Sequence, residues 1–164
     1  MRRISAVAGL VALLSTVGAR ADGPPAPADL VTADLVAEAA SITPNATLWV
    51  DLQLAIKPGW HVYWQNPGDS GLPTAIDWSL PRGFSAGPVR WPVPEHFVQN
   101  GIGNYGYAGG VDLLVPISVP KELETGKPAV LDAEASWLVC ADICIPGGAK
   151  LSLTLPVTAQ PSAP

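Results

Sequence analysis

Methionine is missing after Met1, basic residues are few, and cysteine occurs only twice, as Cys140 and Cys144. Without internal methionine the chain has no thioether to offer a soft metal. Nine lysines and arginines against fourteen acidic residues give a formal charge of -5, which argues against nucleic acid as a partner. Long apolar runs are missing too: the main one, residues 4–14, is too short to span a bilayer. Long helices have little room, because eighteen prolines and sixteen glycines are spread along the sequence. There is no internal repeat, and no Walker loop or His-Glu-x-x-His helix, so the common nucleotide and zinc-protease constellations are excluded. Asn66-Pro67-Gly68-Asp69-Ser70-Gly71 is rich in turn residues, but no strand-to-helix context follows it to cradle a phosphate.

What is present begins with an export signature. Met1-Arg2-Arg3 gives a positive start, the apolar run follows, and Ala19-Arg20-Ala21 has the small-x-small form of a signal-peptidase site. Residues 1–21 therefore read as a removable secretory signal, followed by the linker-like Asp22-Gly23-Pro24-Pro25-Ala26-Pro27. Cleavage would remove Arg2, Arg3 and Arg20, leaving six basic residues against fourteen acidic ones and a charge of -8. About 143 residues would remain, enough for one domain with its own core. The expected layout is a signal at 1–21, a flexible segment at 22–32, one domain at 33–157 and a flexible tail at 158–164, with no membrane span in the mature chain.

Period-two alternation dominates the mature sequence. Leu48, Val50, Leu52, Leu54 and Ile56 share one face of residues 45–56 while Asp51 and Gln53 share the other, as in a half-buried strand. Further strands are expected at 35–42, 60–64, 75–80, 111–119, 129–139 and 149–157. They are separated by turns such as Lys57-Pro58-Gly59, Pro81-Arg82-Gly83 and Thr125-Gly126-Lys127-Pro128, where proline fixes φ and glycine frees it. About seven short strands with frequent turns predict an all-β, antiparallel β-sandwich.

The two cysteines fall between the last two expected strands. If Ala141, Asp142 and Ile143 form the loop, Cys140 and Cys144 face each other across its mouth at a distance a disulfide can bridge. Closing so short a ring removes only about 2 kcal/mol of unfolded-state entropy, a weak staple for a domain of this size. Short-ring dithiols at a surface turn suit thiol–disulfide exchange. Composition and spacing leave three fates open: redox exchange, a structural disulfide, or a metal site in which His61 or His96 joins the thiolates to hold Cu(I) or Zn(II). His61, in Trp60-His61-Val62-Tyr63-Trp64, also reads as a strand residue among aromatics, and His96 as a loop residue after Pro94-Glu95.

Three segments carry more specificity than the strands. The run from Trp60 to Pro73, the stretch Asn104-Tyr105-Gly106-Tyr107, and Leu138-Val139-Cys140-Ala141-Asp142-Ile143-Cys144-Ile145-Pro146 together resemble the N-terminal periplasmic domain of the DsbD and ScsB family of thiol:disulfide interchange proteins. The resemblance runs from about Ala33 to Val157, and the tryptophan-rich segment looks closer to the ScsB-like branch. It implies an immunoglobulin-like fold in the periplasm. It also implies a domain that takes electrons from a membrane-embedded thiol:disulfide reductase domain and passes them to periplasmic thioredoxin-fold proteins such as disulfide isomerases, without a cofactor or metal.

Carried over by residue, the resemblance makes Cys140 and Cys144 the redox pair, with Cys144 forming the mixed disulfide and Cys140 resolving it. It makes Asn104, Tyr105, Gly106 and Tyr107 an aromatic cap loop over the pair. Relatives have phenylalanine where this chain has Asn104, so shielding is expected from Tyr105 or Tyr107. The cysteine spacing is tighter than in the DsbD form. Family members are usually fused to a transmembrane domain and a thioredoxin-like domain, so a chain ending at Pro164 is expected to work with a separate membrane partner or to be a shortened form. An electron-relay component is the expected role; the alternatives are a secreted binding module with a structural disulfide and a Cu(I)-handling protein.

Overall fold

The computed structural model describes residues 26–99 and 101–159. The expected signal at 1–21 and most of the tail at 158–164 lie outside the described residues. After a 3-10 turn at Pro27–Asp29 come β1 (Val31–Ala37), β2 (Thr47–Ile56), β3 (His61–Gly68), β4 (Ala75–Ser79), β5 (Ser85–Ala86), β6 (Glu95–Gln99), β7 (Ile102–Ala108), β8 (Gly110–Ser118), β9 (Pro128–Cys140) and β10 (Cys144–Pro156). One sheet has the order β1-β2-β8-β5; the other has the order β10-β9-β3-β7-β6, with β4 also paired to β9. All named strand pairs are antiparallel.

The alternation that predicted the strands is what buries them. In β2 the inward set Leu48, Val50, Leu52, Leu54 and Ile56 is buried while the outward set is wholly or partly exposed. In β9 the same holds for Ala129, Leu131, Ala133, Ala135, Trp137 and Val139. These faces meet in two linked cores. One gathers Leu52, Leu54, Val62, Tyr107, Trp137 and Val139; the other gathers Val50, Val115, Ile117, Leu131 and Val157. Each fully buried aliphatic side chain stabilises the fold by about 1.5–3 kcal/mol. Ala133 and Ala135 lie opposite Trp78 and Ile76 of β4, a small-against-large pairing that lets the short strand close on β9.

Several boundaries differ from expectation. The first strand begins at Val31, not Leu35, and Leu30 and Val31 belong to the core. Alternation starts at Val31, whereas Glu38-Ala39-Ala40 lacks β-branched residues and the chain bends there. Ile42 returns as a single parallel bridge to Val157. The strand expected at 60–64 continues to Gly68 through a register shift between Tyr63 and Gly68. The last strand begins at Cys144, five residues before expectation, because the ladder with β9 runs unbroken from Cys144↔Cys140 to Pro156↔Pro128. Two strands, β6 and β7, form a hairpin that the alternation did not reveal. His96 accordingly lies in β6, not in a loop.

Candidate functional site

The long β9–β10 hairpin carries the two cysteines to one end of the larger sheet. Cys140 and Cys144 are a directly opposed cross-strand pair, their Cα atoms 4.1 Å apart and their sulfurs joined in a disulfide. That spacing matches the close, non-hydrogen-bonded position of an antiparallel ladder. The Ala141 N–H donates to the Ile143 carbonyl at 3.0 Å and closes the turn beyond it. The two cysteines are not equivalent: Cys140 is 1% exposed, whereas Cys144 is exposed.

Register determines what stands beside them. Val62 of β3 pairs with Val139 and points into the core, so His61, opposite Cys140, shares the outer face with the disulfide. Tyr63 lies on the same face one step along, and its hydroxyl is 3.8 Å from the Cys144 sulfur. The Tyr63 ring is 2% exposed. It is covered by the loop after β3, where Gly71 takes φ +100° and passes so close to the ring that a Cβ there would strike it. Burial pushes the Tyr63 hydroxyl above its ordinary pKa of 10.0, and the Ser70 side chain offsets part of that rise.

The covering loop is tied to β7. Asp69 and Gly103 exchange two bonds, both 2.9 Å: the Asp69 N–H donates to the Gly103 carbonyl, and the Gly103 N–H donates to the Asp69 carboxylate. The backbone N–H and the hydroxyl of Ser70 both donate to Asn104 Oδ1 at 3.1 Å. Asn104 is thus a buried tether holding the loop that backs Tyr63.

The four residues expected as a cap loop are strand, all within β7. Tyr107, opposite Val62, is buried in the core on the far side of the sheet from the disulfide; its hydroxyl donates to the Pro92 carbonyl at 2.8 Å. Its pKa is pushed up to about 12 by burial. Tyr105, two residues away in a regular strand, shares the Tyr107 side; it is 40% exposed and meets His96 and Trp64 with ring centroids 5.0 and 6.3 Å away. Gly106 lies so close to the Val62 carbonyl that no Cβ fits.

The aromatic groups on the disulfide's own face are instead His61, Tyr63 and Phe97. Phe97 is the direct cross-strand partner of Asn104. It stacks on His61 with centroids 4.9 Å apart, while the edge of Tyr63 meets His61 at 5.2 Å. Residues Trp60, His61, Phe97, Ala108 and Ala141 line a cleft of about 470 Å3 beside Cys140. Sequence reading passed over Tyr63 and Phe97. Asn100-Gly101 was the available signal, since an Asn-Gly pair between two strand-like runs predicts the hairpin that sets Phe97 opposite Asn104. Among the described residues, no three His, Cys, Asp or Glu side chains cluster at metal-ligand spacing. Among them too, no helix is long and apolar enough to cross a membrane.

An immunoglobulin-like sandwich with a buried and an exposed cysteine paired at the tip of a hairpin is the fold and site of a class, the N-terminal domains of thiol:disulfide interchange proteins. The family model described as thiol:disulfide interchange protein DsbD, N-terminal, matches residues 28–156, and the chain belongs to that family. Among solved structures, the N-terminal periplasmic domain of ScsB from Proteus mirabilis is 25% identical with a TM-score of 0.57; the match covers 83% of this chain and 49% of that one. The chain therefore spans about half the length of that relative. The reduced DsbD n-terminal domain from Neisseria meningitidis shares the fold at 14% identity and a TM-score of 0.50, over 80% of this chain and 90% of that one. No curated sequence matches significantly.

Proposed function

We propose that the chain is a periplasmic electron relay, taking reducing equivalents from a membrane-embedded thiol:disulfide reductase and passing them to thioredoxin-fold proteins through Cys140 and Cys144. The observation that carries this reading is the unequal exposure of the two paired cysteines. In the dithiol form the Cys144 thiolate attacks one sulfur of the partner's disulfide, and the partner's other sulfur leaves as a thiolate. The Cys140 thiolate then attacks Cys144 Sγ, re-forms the intramolecular disulfide and expels the partner's second thiolate. Two electrons pass to the partner and one disulfide is exchanged for another. Burial keeps Cys140 away from outside disulfides, so its reachable target is Cys144.

The test is adduct trapping in the exporting cell. With Cys140→Ala, the mixed disulfide through Cys144 has no resolving thiol and accumulates as a linked species that reductant releases; with Cys144→Ala it does not form. If Cys140→Ala yields no adduct, and the native disulfide resists reduction by a thioredoxin system in the folded protein, the cysteines form a structural staple and the relay reading fails.

A further inference from the structure

We propose that His61 accepts the proton of Cys140 when the resolving thiolate forms, an inference that rests on the relay reading above. The two residues are directly opposed across β3 and β9 on the same face, where Cβ atoms stand about 4.5–5.5 Å apart. That is within reach of an imidazole and a thiol. His61 is 7% exposed, and its Nε2 is buried without a hydrogen-bond partner. Phe97 against its face and the edge of Tyr63 fix the plane of the ring.

Chemistry asks for such a group at this position. A thiol as buried as Cys140 resists ionisation, because desolvation penalises the charged form. Yet resolution requires a thiolate at Cys140, and an adjacent base is the common way to obtain one. Burial keeps His61 below its ordinary pKa of 6.5, so the ring is neutral and free to accept at the pH where exchange runs. The other titratable groups on elements packed around it are Tyr63 on β3, Glu95 on β6 and Asp142 in the turn; His96 of β6 and Tyr105 and Tyr107 of β7 face the other way. None of them is opposite Cys140 in the ladder.

The step balances simply. The Cys140 S–H proton moves to the imidazole; the thiolate attacks Cys144 Sγ in the mixed disulfide; the partner's sulfur departs with the electron pair; and the imidazolium returns its proton to that thiolate or to water.

Two measurements test it. In the Cys144→Ser chain Cys140 is the sole thiol, and the ultraviolet absorbance of its thiolate followed against pH gives its pKa with no partner present. Replacing His61 by Gln, or by Phe to keep a ring stacked on Phe97, is expected to raise that pKa by about one unit or more, a tenfold loss of thiolate at neutral pH. An unchanged Cys140 pKa in both variants overturns the proposal. The second readout is reduction of oxidised thioredoxin by the reduced chain between about pH 5.5 and 8.5. The His61 variants should lose the acidic limb of the rate profile and run about tenfold slower at neutral pH. If the unsubstituted chain reduces thioredoxin and the variants match it at every pH, His61 takes no proton. If the pKa shift is found but no chain reduces any thioredoxin-fold protein, the proton contact stands and the relay reading falls.

Discussion

At the scale of single residues, the side chains beside the disulfide bear on how readily its thiols ionise. The Tyr63 hydroxyl faces the Cys144 sulfur at 3.8 Å, and burial raises its own pKa, so it stays a hydrogen-bond donor across the working pH range. A donor to a thiolate stabilises the charged form by about 1 kcal/mol. Tyr63→Phe should therefore lower the thiolate population of Cys144 by roughly fivefold at neutral pH, seen as slower alkylation in reduced Cys140→Ala protein. His61 gives a second readout, in stability. Its pKa is lowered by burial from 6.5, so below that pH the unfolded chain takes up a proton that the folded chain refuses. Stability linked to His61 is fully present above the unfolded value and declines as pH falls below it. Urea midpoints at about pH 7.5 and 5.5 should show the native chain losing more stability on acidification than His61→Phe.

At the scale of elements, legibility tracked the strength of alternation. Residues 45–56 and 129–139 alternate without a break, and they became β2 and β9 with the inward faces read from sequence. The opposition of Cys140 and Cys144 followed instead from reading 141–143 as the loop, since Cys144-Ile145-Pro146-Gly147-Gly148 does not alternate and that strand was expected only from 149. β6 and β7 were not legible: Ile102-Gly103-Asn104-Tyr105-Gly106-Tyr107 has two glycines, which weaken strand propensity, and its stability comes from partners on both sides. The glycines are there because of those partners. Gly106 lets β7 approach the Val62 carbonyl of β3, and β3 is the strand that carries His61 and Tyr63. Gly106→Ala should separate the two strands and cost about 1–3 kcal/mol, the range for overpacking a closed site. Gly101→Ala, at φ +80° but with nothing within 4 Å of its Cβ position, should cost only about 1 kcal/mol from backbone conformation. Chemical denaturation of both variants checks the difference, and the Gly106 variant should also lose the pH signature of His61.

At the scale of the whole molecule, the aromatic rings that share the disulfide's face were not legible, because a cross-strand neighbour is invisible to a linear motif. The resemblance located the disulfide, but Phe97, which lies opposite Asn104 and stacks on His61, comes from another strand. The same architecture separates stability from redox chemistry. Both cores are filled from paired strands, and the disulfide lies at one tip of a ladder that continues from Val139↔Ile145 to Pro128↔Pro156. Opening it releases a short ring worth about 2 kcal/mol of unfolded-state entropy, while the ladder and cores persist. The reduced chain should thus remain cooperatively folded, with native near-ultraviolet dichroism and a denaturation free energy lower than that of the oxidised chain by about 2 kcal/mol or less. A relay must survive both redox states for many cycles, so this small gap is a requirement of the mechanism as well as a result of topology. A structural staple carries no such requirement. Urea titrations of the oxidised and reduced chains therefore separate the readings: loss of the cooperative transition on reduction would mean that the disulfide holds the fold, and a modest shift in midpoint leaves it free to exchange.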